Sequence, residues 1–139
     1  MHKNKCSKIC KNGKKCKKCS FKGEKHMIGR NKKGKIVKMN FCGPGTNLKA
    51  RSKGKCSKPI SKVDSVCKTH DYAYLKIGKA KVSKNKKKKQ VRKADINMIK
   101  SLKSIKGLES KIASKTIKGK IKLEKLGLLN RLKFISKPN

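Results

Sequence analysis

Acidic and aromatic residues are both scarce in this chain. Its 139 residues include 6 Asp and Glu against 44 Lys and Arg, which gives a formal net charge of +38. Self-repulsion at this density opposes compaction, and the excess charge suits polyanions such as nucleic acid or anionic membrane surfaces. Because only 34% of the residues are hydrophobic and 4% aromatic, we predict one small domain with appendages and a core confined to a few segments.

Long apolar runs are missing as well. None approaches the length of a membrane span, and no apolar stretch follows the basic N-terminus as it does in a secretory signal peptide. We therefore expect a protein made in the cytosol. In that compartment the seven cysteines favour a metal site over a disulfide framework where they cluster.

The chain divides into three blocks of different composition. Residues 1–30 hold four of the seven cysteines, residues 31–107 hold every aspartate, and residues 108–139 are rich in lysine with scattered Ile and Leu. We interpret these blocks as a basic Cys-rich segment, a catalytic domain and a basic amphipathic helical tail. Both terminal extensions are expected to be partly disordered.

The middle block has two helical patterns, so the predicted fold is mainly α. In the first, apolar or aromatic side chains recur every three or four residues between Pro59 and Gly78, at Ile60, Val63, Val66, Cys67, His70, Ala73, Tyr74 and Ile77. The second has the same spacing and ends at Gly107, with positions Val91, Ala94, Asp95, Met98, Leu102 and Ile105. Residues 79–90 carry a charge run without a period and are predicted to form an exposed loop.

One aspartate interrupts an apolar helix face. Burying the Asp95 carboxylate costs a desolvation penalty unless a partner lies across the interface, and His70 on the first helix is the candidate. If the two helices pack antiparallel, Asp95 orients the His70 ring. The other ring nitrogen is then free to act as a general base toward a water.

The neighbouring aspartate has a different predicted partner. Asp71 is rotated by about 100° from His70 around the helix, and we expect it to face the glycine-rich loop FCGPGTN, whose backbone carbonyls can turn toward one point. Carbonyl and carboxylate oxygens are the ligands that calcium prefers. Calcium beside an activated water would polarise an ester carbonyl and stabilise the oxyanion, which predicts a hydrolase without a covalent intermediate.

FCGPG followed by DSVCKTHDYAY resembles the secreted phospholipase A2 superfamily, with its calcium loop of aromatic-Cys-Gly-x-Gly and its helix with C-x-x-H-D-x-x-Y. The GPG loop, the alanine in HDYAY and the later KADINMIKSL look closer still to the phospholipase domain of parvovirus minor capsid proteins. The resemblance covers residues 39–106, and its motifs occur in the family's order.

The resemblance implies a role for each matching residue. His70 is the general base, Asp95 orients it, Tyr74 hydrogen-bonds to Asp95, and the Gly43 amide helps to hold the oxyanion. The implied calcium ligands are one carboxylate and three backbone carbonyls, those of Asp71, Phe41, Gly43 and Gly45. Asp64 matches a recurring structural acid.

Two cysteines match a disulfide of the secreted enzymes. Cys42 and Cys67 occupy these positions. A bridge and free thiols are equally compatible with a reducing cytosol, and oxidation is favoured once the protein is outside a cell.

A second candidate metal site lies in the first block. Cys16 and Cys19 have C-x-x-C zinc spacing, and either Cys6 or Cys10 together with His26 completes a tetrahedron. Five residues thus compete for four positions. A basic tail with incidental thiols explains the same pattern.

The last block predicts a basic amphipathic helix, broken near Gly119 and Gly127. Its apolar positions are Leu108, Ile112, Ile117, Ile121, Leu126, Leu129 and Leu132. Such a helix either lies on a membrane or packs on the domain, and we favour contact with a membrane or nucleic acid.

These observations lead to one main functional hypothesis. The chain is expected to be a calcium-dependent phospholipase A2 of a virus or virus-like element, with no small-molecule cofactor, that breaches a host membrane during entry. It is expected in a virion or the host cell, acting at a membrane surface that favours anionic lipids, with nucleic acid as a further partner through its Lys-rich segments. The alternative is a basic, nucleic-acid-binding virion core protein with a degenerate phospholipase fold. A third hypothesis is a membrane-lytic peptide that acts through the tail, without hydrolysis.

Overall fold

The computed structural model describes residues 24–43, 46–49, 51–52 and 54–134. Within these residues the elements are β1 (Ile28–Arg30), β2 (Ile36–Lys38), a 3-10 turn (Gly54–Ser57), α1 (Lys62–Lys79), α2 (Lys84–Lys103) and α3 (Leu108–Lys125). The predicted mainly α fold is confirmed, and α3 lies in the block for which an amphipathic helix is predicted. The two-stranded sheet was not predicted. The described residues form two compact units, a first unit up to Lys68 and a second unit from Thr69.

The first unit opens with an antiparallel hairpin. Its register places Ile28 opposite Lys38, Gly29 opposite Val37 and Arg30 opposite Ile36. In the turn, the Asn31 side-chain oxygen accepts hydrogen bonds from the backbone N–H groups of Lys33 and Lys35, at 2.9 and 3.0 Å. Gly34 has φ +79°, a conformation that glycine adopts without a Cβ clash. Strands of three residues are too short to show an alternating pattern, so the sequence did not predict them.

Helix α1 keeps its predicted face but starts later. Ser61 caps it, since the Ser61 hydroxyl oxygen accepts a hydrogen bond from the Asp64 backbone N–H at 3.1 Å. The helix therefore begins at Lys62 rather than near Pro59, and it ends at Lys79 as the Gly78 signal predicts within one residue.

The predicted exposed loop at residues 79–90 is wrong for its second half. Helix α2 begins at Lys84, because the Ser83 hydroxyl oxygen accepts a hydrogen bond from the Lys86 backbone N–H at 3.2 Å. Lysine is a good helix former, so a run of lysines needs no apolar period once the helix is capped. The next turn of α2 contains Val91, which is buried in a cluster with Tyr74 and Ile77 and so packs the start of the helix against α1.

Helix α3 packs against α2. The Ser110 hydroxyl donates a hydrogen bond to the Leu102 carbonyl at 2.6 Å, and both residues are buried. The predicted break at Gly119 is wrong, since Gly119 lies inside the helix at an exposed position, where it costs only about 1 kcal/mol relative to alanine. The break at Gly127 is confirmed.

Gly127 ends α3 through a Schellman motif. Its φ is +76°, its N–H donates to the Glu124 carbonyl at 3.1 Å, and the Leu128 N–H donates to the Leu123 carbonyl at 2.9 Å. None of the helices in the described part of the chain combines the length and hydropathy needed to span a bilayer.

Candidate functional site

The second unit brings His70 and Asp95 together. The Nε2 atom of His70 lies 2.7 Å from Oδ1 of Asp95, and the Asp95 side chain is fully buried. Asp95 projects from the apolar face of α2, between the buried residues Val91 and Met98. The one acid on this apolar face therefore lies against the histidine of α1.

Tyr74 completes the contact on the same oxygen of Asp95. Its hydroxyl donates a hydrogen bond to Oδ1 at 2.5 Å, and its ring centroid lies 4.2 Å from that of His70. Burial and then the negative charge of Asp95 raise the pKa of Tyr74 above its ordinary value. The phenol consequently stays protonated and acts only as a donor toward Asp95.

Lys120 is a member of this cluster that the sequence did not reveal. Its Nζ atom donates to Oδ2 of Asp95 at 2.7 Å, forms an ion pair with Glu124 and lies 5.4 Å from the centroid of the Tyr74 ring. Among 44 Lys and Arg, a single lysine carries no signal. The only clue was Glu124, one of six acids in the chain, at the i+4 position.

Three donors keep Asp95 ionised. Burial works to raise the pKa of Asp95, but the hydrogen bonds from His70, Lys120 and Tyr74 and the charge of Lys120 outweigh it. The pKa of Asp95 is therefore held below its usual value. A buried carboxylate with three partners can orient the imidazole without taking a proton itself.

Glu124 holds Lys120 in place from the other side. The Glu124 side chain is 1% exposed, and besides Lys120 it contacts Arg92 at 3.3 Å and Arg131 at 3.7 Å. A buried acid with several cationic partners avoids the penalty of an unpaired charge. The cluster thus extends from His70 through Asp95 and Lys120 to Glu124.

The first unit contains the described part of the glycine-rich loop for which calcium ligands are predicted. The backbone carbonyl oxygens of Phe41 and Gly43 each lie 3.1 Å from the Thr46 hydroxyl oxygen, so both converge on one point. A hydroxyl has one hydrogen and donates fully to one of them at a time. Backbone carbonyl oxygens are among the ligands that calcium prefers, so the donor chemistry of these two residues is compatible with the ion.

Gly43 cannot be replaced without moving the chain. A Cβ at this position would lie 1.9 Å from the backbone oxygen of Lys25, and φ is +154°. The backbone of residue 25 therefore crosses directly over the loop, which explains why glycine occupies this position.

Of the remaining predicted calcium ligands, one belongs to the second unit and one is not described. Asp71 follows His70 on α1 and is half-buried, whereas Gly45 is outside the described residues. Within the described ranges no group of three or more His, Cys, Asp or Glu could hold a metal ion. A site made of backbone carbonyls and one carboxylate would not form such a group, so the calcium ligands stay a prediction.

The predicted zinc ligands Cys6, Cys10, Cys16 and Cys19 also lie outside the described residues. The fifth, His26, is buried with its Nε2 atom 2.8 Å from Oε1 of Glu24. That oxygen also accepts a hydrogen bond from the Asn47 backbone N–H at 2.9 Å. His26 thus has a carboxylate partner, and the zinc site stays a prediction.

The described cysteines are all bridged. Cys42 and Cys67 form a disulfide, the first of the two predicted alternatives. Cys56, for which no role was predicted, is also disulfide-bonded. The expected preference for a metal site over disulfides concerned the clustered cysteines at residues 6–19, which lie outside the described residues.

Comparisons with known proteins gave one match. A family model described as "Phospholipase A2-like domain" matches residues 32–120, which is more than half of the chain. No curated protein and no solved structure matches the chain. The matched segment includes His70, Asp95 and Lys120, and it extends beyond the predicted domain end at residue 107.

Proposed function

The chain belongs to the phospholipase A2-like domain family, and from this membership we propose that it is a calcium-dependent phospholipase A2. It would hydrolyse the sn-2 ester of glycerophospholipids. The membership by itself supports a phospholipase-like function and a lipolytic hydrolase. The finer assignment depends on the chemistry of the residues in the two units.

The contact between His70 and Asp95 is the observation that carries the proposal. Asp95 accepts the hydrogen bond of His70 Nε2–H, which fixes the imidazole in the tautomer whose Nδ1 atom has a free lone pair. That atom would take a proton from the water that attacks the ester carbonyl and later return it to the leaving alcohol. General base catalysis of this kind contributes about 10²–10⁴-fold to the rate.

The predicted calcium ligands supply the second half of the chemistry. The carbonyl groups of Phe41, Gly43 and Gly45 and the carboxylate of Asp71 would hold the ion, and the Gly43 amide would donate to the oxyanion. When bound, calcium polarises the ester carbonyl and stabilises the negative charge that develops on its oxygen. The convergence of the Phe41 and Gly43 carbonyls on Thr46 supports this assignment.

Release of fatty acid from mixed phospholipid vesicles tests the proposal. We expect the full chain to release fatty acid and lysophospholipid in calcium and to lose this activity in chelator. His70→Ala should abolish release, and Asp71→Asn should raise the calcium concentration needed. Tyr72→Phe, an exposed change on the same helix, serves as the control. Activity that persists in chelator or in His70→Ala would refute the assignment.

We further propose a viral setting, in which the enzyme breaches a host membrane during entry. The likeness of the GPG loop and the HDYAY segment to the parvovirus domain supports it, and the charge of +38 suits packaging beside a genome. The rival function, a nucleic-acid-binding core protein with a degenerate fold, is favoured by the same charge. Against it, a protein without catalytic function has no need for His70, Asp71 and Asp95 together.

A further inference from the structure

Helix α3 has a second apolar face whose large side chains stay largely exposed. Four large side chains are 44–72% exposed and define what we call the apolar stripe, Leu108, Ile112, Leu123 and Leu126. At 100° per residue they fall within a sector of about 60°, and they run the length of the helix, about 27 Å. Gly119, which has nothing within 4 Å of its Cβ position, lies in the same sector.

The opposite face of α3 explains why the stripe is not core. Ser110, Ala113 and Glu124 are buried against the rest of the unit, and their mean direction is about 140° away from that of the stripe. Lys120, which binds Asp95, also points toward this inner side. The buried residues of α3 therefore lie on one face, and the stripe lies on the other.

A row of lysines runs beside the stripe. Five exposed residues form this lysine row, Lys111, Lys115, Lys118, Lys122 and Lys125. They occupy an adjacent sector of about 80° that contains no acidic residue. The two acids of α3 lie elsewhere, because Glu124 is buried and Glu109 is on the far side of the stripe.

We propose that the stripe and the lysine row together are the surface by which the protein docks on an anionic phospholipid membrane. A bilayer interface can bind both the stripe and the lysine row. The apolar side chains enter the boundary between headgroups and acyl chains, and the lysine stems lie along it with their ammonium groups at the phosphates. Nucleic acid would pair with the lysines but leave the leucines in water. A second copy of the same face would bring two lysine rows together.

This inference deepens the proposed function, on which it rests for the identity of the partner. The proposal that the chain hydrolyses phospholipid does not specify which surface contacts the lipid. The stripe and the lysine row specify that surface. Because α3 also carries Lys120, the docking helix is the one that contacts Asp95.

Vesicle binding in chelator tests the surface without hydrolysis. The full chain is sedimented with phosphatidylcholine vesicles that contain phosphatidylserine, at near-physiological salt. We expect the combined change Leu108→Ser, Ile112→Ser and Leu123→Ser to weaken binding at least about tenfold, and Lys111→Gln, Lys118→Gln and Lys122→Gln to do the same.

Matched controls exist on other surfaces of the chain. Lys84→Gln, Lys86→Gln and Lys89→Gln remove the same charge from exposed positions of α2. Ile28→Ser and Ile36→Ser remove exposed apolar side chains of the hairpin, which are 61% and 64% exposed. Each control should change binding less than about twofold, because these positions lie outside the surface.

A tryptophan placed in the stripe reports whether the stripe enters the bilayer. The chain has no tryptophan, so Ile112→Trp and Ile36→Trp each report on one site. The emission of Ile112→Trp should shift to the blue on vesicles, and that of Ile36→Trp should not.

The outcomes separate this inference from the proposed function. Stripe variants that bind vesicles as the wild type does, or no blue shift at Ile112→Trp, would overturn the docking surface even if fatty acid is released. Loss of duplex DNA binding in the lysine-row variant, with vesicle binding unchanged, would assign the row to nucleic acid and also overturn it. Stripe-dependent binding without any hydrolysis would support the surface and refute the enzyme.

Discussion

Two aspartates, Asp64 in the first unit and Asp95 in the second, are both fully excluded from solvent, yet they bind different kinds of partner. Asp64 accepts hydrogen bonds from three backbone N–H groups, those of Asn40, Phe41 and Ile60, at 2.8–3.0 Å. Asp95 accepts from three side chains, those of His70, Tyr74 and Lys120.

The kind of partner decides what each acid can do. Backbone amides do not titrate and cannot move independently, so Asp64 fixes the chain that leads into the glycine loop. Side-chain partners carry protons and charge, so Asp95 orients the His70 ring while it keeps its own negative charge. The same residue type is thus a structural anchor in one unit and a positioning group in the other.

Asp95→Asn should give the largest effect. The change removes the charge that orients His70 and places an amide against three donors, so we expect kcat to fall on the order of 10³-fold with little change in KM. Fatty-acid release per folded molecule is the measurement. Asp64→Asn should lower this rate less than Asp95→Asn does, because its partners are backbone groups that take no part in the proton transfer. Equal losses in both variants would contradict the comparison.

Asp64→Ala should give the largest loss of stability. Three N–H groups, two of them buried, lose their acceptor, which we expect to lower the free energy of unfolding by about 3 kcal/mol. Denaturant unfolding measures it, with Glu109→Gln in the first turn of α3 as a control that changes stability by less than about 1 kcal/mol. A loss in Asp64→Ala no greater than that of the control would show that the anchor is not needed.

Lys120→Met should have a smaller effect on turnover. Oδ2 of Asp95 loses a charged donor, so we expect kcat on a short-chain monomeric substrate to fall about tenfold with KM unchanged. Lys120→Arg should restore most of the rate, because it keeps a charged donor toward Asp95. Lys103→Met, at an exposed position of α2, is the control. The same rate loss for Arg and Met at position 120, or none for either, would contradict the positioning role.

Low pH should lower the stability of both units. Of the effects predicted here, the contribution of each titrating group to stability is the smallest. Burial works to raise the pKa of Asp95 and Glu24, but their hydrogen-bonding and cationic partners outweigh it and hold both values below the usual range. Each folded acid therefore binds protons less readily than in the unfolded chain. Its stabilisation is present above the unfolded pKa and is lost as the pH falls through the folded pKa.

Thermal unfolding between pH 7 and pH 2 tests whether stability falls as the pH is lowered. We expect Tm to stay level down to about pH 5 and to fall below about pH 4, with each group contributing up to about 1.4 kcal/mol per pH unit. The partners facing Asp95 are His70, Tyr74 and Lys120, while Glu24 faces His26 and Arg51. Asp95→Asn and Glu24→Gln should each make the acid slope shallower, and an unchanged slope would contradict the assignment.

The contact of His70 with Asp95 was predictable because few residues of the preceding helix can pair with a buried carboxylate. An acid on an apolar helix face needs a partner across the interface, and the preceding helix offers one histidine on its apolar side. The apolar face of α1 was predictable for a related reason, since its three-and-four spacing runs unbroken for several turns.

Other features were hidden by the composition. Lys120 looks like any other lysine of the chain, and only the packing of α3 on α2 selects it. The start of α2 was missed because the Ser83 cap is followed by lysines, which masks the beginning of the apolar period. The Gly119 break was wrong because tertiary packing on both sides of an exposed glycine outweighs its low helix propensity.

The short connection between α1 and α2 has a consequence for folding. His70 and Asp95 are 25 positions apart in the chain, and the link between their helices is only the four residues Ala80–Ser83. Bringing the ends of so short a link together requires little loop entropy, and contacts of low sequence separation form rapidly. We therefore expect the histidine and its aspartate to meet early in refolding, as a local hairpin of helices.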